Sequence, residues 1–185
     1  MRQMIALIRA VLVVLVLAPT PLLAAEYADS AAIDELFAQL RVAQSEAEAS
    51  DLTQQIWTYW LSPDDPELAK RIHAAGAATS SGDLPGALAI LDTVVKTYPD
   101  YAEGWNQRAT LYYMLGDFPA SLADIDKVLA LEPRHFGALS GRVLIYLKQG
   151  KHAEALKDML AALAIDAYLS GRDLFPELAQ NVTHV

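Results

Sequence analysis

The sequence predicts an all-α fold: a superhelical solenoid of stacked helix-turn-helix repeats with capping helices at both ends. Three observations predict it. Gly82, Gly116 and Gly150 stand thirty-four residues apart twice over, each followed by a polar residue and a segment that reopens a helical pattern. Pro99 and Pro133 repeat at the same spacing. The apolar and small residues between these markers fall into columns of that period, so each unit is too small to bury its own apolar face and must stack on its neighbours.

The columns give the units their register. Units are drawn at 68–101, 102–135 and 136–170, beginning with Leu68, Ala102 and Phe136. In the first half of each unit Arg71, Trp105 and Leu139 share a column, as do Ala75, Ala109 and Val143, and Ala78, Tyr112 and Tyr146. In the second half the columns are Ala87, Ser121 and Ala155; Leu88, Leu122 and Leu156; Leu91, Ile125 and Met159; and Val94, Val128 and Ala162. Columns three, four or seven residues apart trace one face of a helix, so each unit holds two amphipathic helices. The three glycines fall where the first helix must stop, because glycine enters the left-handed conformation without steric cost. Pro99 and Pro133 end the second helix. Ala167 replaces that proline in the third unit, whose second helix is expected to run on toward Ser170, with Gly171 as its stop.

In the middle unit Trp105, Ala109, Tyr112, Gly116, Asp117, Phe118, Ser121, Ile125, Val128 and Pro133 occupy the signature positions of the tetratricopeptide repeat. The chain resembles that family from Leu68 to about Ala167. The stretch Trp105 to Ala109 is similar to the family's aromatic-polar-polar-Arg-small opening, while Arg71 and Ala78 depart from it in the first unit. The resemblance implies a right-handed superhelix whose first helices line a concave groove. Mapped residue by residue, the groove positions are Ile72, Gly76 and Thr79, then Asn106, Thr110 and Tyr113, then Ser140, Leu144 and Leu147. Some family members grip a peptide's terminal carboxylate with lysine, arginine and asparagine, and here two of these positions are changed. Ile72 and Gly76 stand where the lysine and the asparagine are wanted, so that clamp is not expected here.

The ends are read as caps. Residues 26–67 form a degenerate helix pair: Ile33, Leu36, Phe37 and Leu40 make one stripe, and Leu52, Ile56, Trp57 and Trp60 a second helix capped by Ser50 or Asp51. Trp57, Tyr59 and Trp60 are expected to cover the open end of the first repeat. Over 171–185, Asp173 is read as the cap of a short helix whose Leu174, Phe175 and Leu178 cover the third unit, followed by a tail.

Residues 1–25 read as a secretory signal peptide. Arg2 and Arg9 precede an apolar run, then Pro19, Pro21 and a small-residue region in which cleavage follows Ala24 or Ala25, with a retained anchor as the alternative. From Ile5 to the first proline this stretch is shorter than the roughly 20 apolar residues a spanning helix needs. The expected location is therefore the bacterial periplasm or the exterior, with no integral span after cleavage. The chain has no cysteine, hence no disulfide. Loss of Arg2 and Arg9 takes the net charge from −9 to −11, which makes nucleic acid an improbable partner.

No chemistry is legible. His73, His135, His152 and His184 lack metal-ligand spacing and are read as solvent-exposed, so no metal and no cofactor are expected. Asp64, Asp65 and Glu67 read as a helix start around Pro66 and not as a calcium loop. No nucleophile elbow or phosphate loop occurs, and no catalytic residue is named. Asn181-Val182-Thr183 fits a glycosylation pattern and is given no function. The expectation is a non-enzymatic adaptor that binds a protein or peptide in the cell envelope, where Tyr113, Leu144 and Leu147 suit an apolar segment. The rival reading is homo-oligomerisation through a solenoid end or the Trp57 to Trp60 segment, with the groove unused. An enzyme with an unrecognised site ranks below both.

Overall fold

The computed structural model describes residues 21–179. The leader assignment lies outside the described residues over 1–20, as does the Asn181-Val182-Thr183 pattern. Nine helices and one 3₁₀ turn make up the described residues, with no strand. They are α1 (Pro21–Leu40), α2 (Glu46–Leu61), α3 (Pro66–Ser80), α4 (Leu84–Thr97), α5 (Ala102–Leu115), α6 (Phe118–Leu131), α7 (Phe136–Lys148), α8 (His152–Leu163), the 3₁₀ turn Arg172–Leu174, and α9 (Pro176–Ala179). None is long and apolar enough to cross a membrane.

The helix pairs α3/α4, α5/α6 and α7/α8 are the three repeats, and one turn joins each pair. Gly82, Gly116 and Gly150 have φ of 82°, 80° and 70°. The next N–H reaches back to the carbonyl of Ala78, Tyr112 or Tyr146 at 2.8 to 2.9 Å, and each glycine N–H to that of Thr79, Tyr113 or Leu147, so all three turns are Schellman motifs. After the first two glycines an aspartate starts the following helix: Asp83 Oδ1 accepts from Gly86 N–H and Asp117 Oδ1 from Ala120 N–H. Gly-Asp thus ends one helix and begins the next within two residues. The core columns are closed: Ala75, Ala109 and Val143, then Leu91, Ile125 and Met159, and then Val94, Val128 and Ala162 are all buried.

A second period is electrostatic. The Arg108 guanidinium forks onto Asp124 of its own unit at 2.7 Å and reaches Asp92 of the preceding unit at 2.8 Å. Arg142 repeats this thirty-four residues on, with Asp158 at 2.7 and 2.9 Å and Asp126 at 2.9 Å. Donation to the buried carboxylates of Asp124 and Asp158 holds both guanidinium pKa values above their ordinary range. In the first unit the corresponding residues are Ala74 and Ile90, and in the third Leu160 stands where Asp92 and Asp126 stand earlier.

The ends depart from expectation. Ser45, not Ser50 or Asp51, caps α2: its Oγ accepts from Glu48 N–H, while Glu48 Oε2 accepts from Gln44 N–H, a reciprocal box that starts the helix five residues early. The α1–α2 hairpin does not cover the open end of the first repeat. Trp57 and Trp60 pack instead on His135 and Phe136 at the start of α7, and Ile165 and Leu169 close the same cluster. Aromatic complementarity decides this, since Trp60 stacks on the His135 ring at 4.0 Å and 4°. At the other end α8 stops at Leu163 and does not reach Ser170. The buried Asp166 carboxylate takes the Tyr168 N–H at 2.9 Å and turns the chain. Phe175 and Leu178 cover Val143, Ala155 and Met159, but Leu174 turns to solvent and Asp173 lies inside the 3₁₀ turn without capping a helix.

Candidate binding groove

The helices α3, α5 and α7 stand side by side and expose a shared face. Between α5, α6 and α7 lies an apolar cleft of about 370 Å³. Its walls include Tyr113 and Met114 of α5 and Leu144 of α7, and its floor Ile125, Ala138 and Gly141. Met114 is 53% and Leu144 40% exposed, so both are large apolar side chains held at a mouth open to water. The serine and threonine hydroxyls in the cleft already have partners: Thr110 Oγ1 donates to Asn106 O at 3.0 Å, Ser140 Oγ to Phe136 O and Ser121 Oγ to Ala109 O, both at 2.8 Å. A floor whose serine and threonine hydrogens are engaged within the protein suits an apolar side chain better than a polar one. Lys148 stands beside the cleft, with its Nζ 5.7 Å from the Tyr113 ring centroid.

The predicted groove residues divide. Asn106, Thr110, Tyr113, Ser140 and Leu144 all line this cleft. Ile72 does not: at 4% exposure it belongs to the core with Leu68, Ala75 and Leu91, because Leu68 and Ala75, four residues before it and three after, put it on the buried face of α3. Leu147 turns away to the cluster under Phe175 and Leu178, drawn there by the apolar surface of the C-terminal cap. Gly76 and Thr79 line a second, smaller cleft with Asn106 and Thr110, and the aromatic wall of that cleft is Trp57 from α2.

A buried polar cluster at the groove edge corrects the reading of the histidines. His135 is 0% exposed. Its Nδ1 accepts the Ala138 N–H at 3.1 Å and so caps α7, which leaves Nε2 to face Glu103 Oε2 at 3.2 Å. Glu103, also buried, accepts from Asn106 Nδ2 at 2.9 Å and Gln107 Nε2 at 3.2 Å. Tyr101, which starts α5, donates its hydroxyl to the carbonyl of Trp60 at 2.5 Å, and burial pushes its phenol pKa well up. His73 and His152 are exposed as expected, and His152 pairs with Glu177 at 2.7 Å. No periodic signal marks Glu103 or His135, since Glu103 pairs with His135 and His135 stacks on Trp60, which comes from outside the repeats. The Arg–Asp pairs, by contrast, were present in the sequence at the thirty-four-residue spacing. Among the described residues no three His, Asp or Glu side chains gather closely enough to hold a metal.

Helix pairs at a fixed period, joined by left-handed glycines and exposing a shared groove, define a tetratricopeptide-type solenoid. The tetratricopeptide repeat family model matches residues 74–123 and 106–170, together more than half of the chain. The chain belongs to the tetratricopeptide repeat family. A TPR repeat-containing protein of Rhizobium etli is 34% identical over 83 residues, which are 45% of this chain and 41% of that protein, so the match spans about two fifths of the relative's length. Among solved structures, the chain is similar to MamA, with a TM-score of 0.50 and 17% identity over 76% of this chain and 81% of that one. It is also similar to the TPR2AB domain of yeast Sti1 in complex with pHSP90, with a TM-score of 0.53 and 18% identity over 85% of this chain and 65% of that one. These two likenesses concern the fold.

Proposed function

We propose that this protein is a non-enzymatic scaffold that binds an apolar segment of a protein or peptide partner in the α5–α7 cleft, in the bacterial cell envelope. The cleft carries the reading: Met114 and Leu144 offer exposed apolar surface beside Tyr113, over a floor whose serine and threonine hydroxyls are already bonded. Membership of a family of interaction repeats supports a scaffold, and the Sti1 structure, solved with a protein partner, is in keeping with it. The leader-like pattern of residues 1–25 supports export to the envelope, and a relative in Rhizobium etli supports a bacterial setting.

The test compares the mature protein with a Tyr113→Glu, Leu144→Glu double variant as parallel baits in a native envelope extract. A partner retained by the first and lost by the second, with circular dichroism unchanged, supports the cleft. A partner held equally by both moves the site elsewhere. Fractionation of cells expressing the full chain tests the location, and a wholly cytoplasmic product would remove that part of the proposal.

A further inference from the structure

The α1–α2 hairpin lies partly in the groove, and its packing separates it from the repeats. Of the buried residues in its cluster, Ile33, Phe37, Leu40, Ala49, Leu52, Ile56 and Trp60 all belong to the hairpin, and only Phe136 to a repeat. The hairpin therefore brings its own core. What fastens it is Phe136, Ile165 and Leu169 against that core, the buried stack of Trp60 on His135, the Arg134 guanidinium on Asp34 at 2.7 Å and over the Phe37 ring at 4.2 Å, and Thr53 on Asp166 at 3.4 Å. Trp57 reaches furthest in. It forms the wall of the cleft that contains Gly76, Thr79 and Thr110, and it lies against Gly137, a lining residue of the larger cleft. A Cβ at position 137 would fall 2.7 and 2.9 Å from the Trp57 ring atoms Cη2 and Cζ2. The indole thus uses the absence of a side chain on α7 to sit where the two clefts meet. The link from α2 to α3, residues 62–65, contains Pro63 and runs into Pro66, and it forms no helix of its own.

We infer that the α1–α2 hairpin is a releasable plug, an in-chain occupant seated in the groove through Trp57 and Gly137, and that its departure uncovers the α3–α5 face. The plug shares the groove with the proposed partner site but does not depend on it, and its test uses no partner. Hydrogen exchange read by mass spectrometry is compared for the full chain and its Gly137→Ala variant, with binding of the apolar dye anilinonaphthalene sulfonate as a second reading. Alanine at 137 favours the helix of α7 itself, so loosening cannot come from helix propensity. The expected result is that amides of residues 46–61 exchange at least about tenfold faster, that α5 to α8 keep their rates, and that dye fluorescence rises. Adding Trp57→Ala to Gly137→Ala should leave residues 46–61 exchanging no faster than Trp57→Ala alone, because the clash has lost its partner. Unchanged exchange in 46–61, an acceleration shared equally by α5 to α8, or faster exchange without added dye binding would each overturn the proposal.

Discussion

At the scale of single residues, stability rests on buried charges whose partners are fixed. Glu103 has three donors and little contact with water, so Glu103→Ala strands Asn106, Gln107 and the His135 Nε2 together. Its expected cost is about 2 kcal/mol in urea unfolding, the range for buried polar groups left without an acceptor. The two carboxylates on Arg108 should behave differently from each other. Arg108→Ala leaves the buried Asp124 unpaired and is expected to cost about 3 kcal/mol. Asp92 is mostly exposed, and Asp92→Ala is expected to cost less than about 1 kcal/mol. Equal losses in the two variants would show that Asp124 finds water when its partner is removed.

At the scale of elements, turns and caps decide where helices begin and end. Gly116 and Gly76 give opposite expectations for one chemical change. Gly116→Ala forces a β-carbon into φ of 80° and should destabilise by about 1 kcal/mol. Gly76 lies within α3, where an added Cβ meets nothing within 4 Å, so Gly76→Ala should stabilise by about 0.5 kcal/mol or more. Thermal unfolding of the pair reads the sign directly. Asp65 starts α3, and the Leu68 N–H lowers its pKa below the ordinary 3.8. A depressed carboxylate contributes stability above its unfolded value, and that contribution goes as pH falls through the folded value. The wild type should therefore lose helix start below about pH 4 in acid titration followed by circular dichroism, and Asp65→Asn should flatten that part of the curve. The repeats and these caps were legible because each depends on residues fewer than about forty positions apart, and three copies of one pattern average out local exceptions. The hairpin's placement was not legible. Trp57 and Trp60 find His135 and Phe136 more than seventy residues away, and no period links them. Ile72 was misplaced because its mapped position was read apart from its own helix, where Leu68 and Ala75 lie on the same face and are buried with it. The α5–α7 cleft stood between these cases: Tyr113 and Leu144 followed from the family's groove positions mapped onto the register, while Met114, more exposed than either, was not singled out.

At the scale of the whole molecule, an apolar cleft on an acidic protein separates contact from attraction. Binding through Tyr113, Met114 and Leu144 should change by less than about threefold between about 50 and about 500 mM salt, because burial of apolar area is not screened. A steep salt dependence in titration calorimetry would place the contact on charged surface instead. The Arg–Asp ladder bears on a different property, the number of repeats. Only the middle unit carries an Arg–Asp pair of its own, Arg108 and Asp124, together with a forward aspartate, Asp126, for its successor. The first unit offers Asp92 forward but has Ala74 and Ile90 in place of its own pair, and the third accepts from behind but presents Leu160 ahead. The three units are thus a start, a middle and a stop, and they are not interchangeable despite their shared outline. A gene in which codons 102–135 are duplicated should give a longer array in which every rung closes, with a higher unfolding midpoint. Duplication of 68–101 would set Asp92 opposite the second copy of Ala74 and gain less. The ladder acts as a grammar of order written in charge, fixing which unit can follow which.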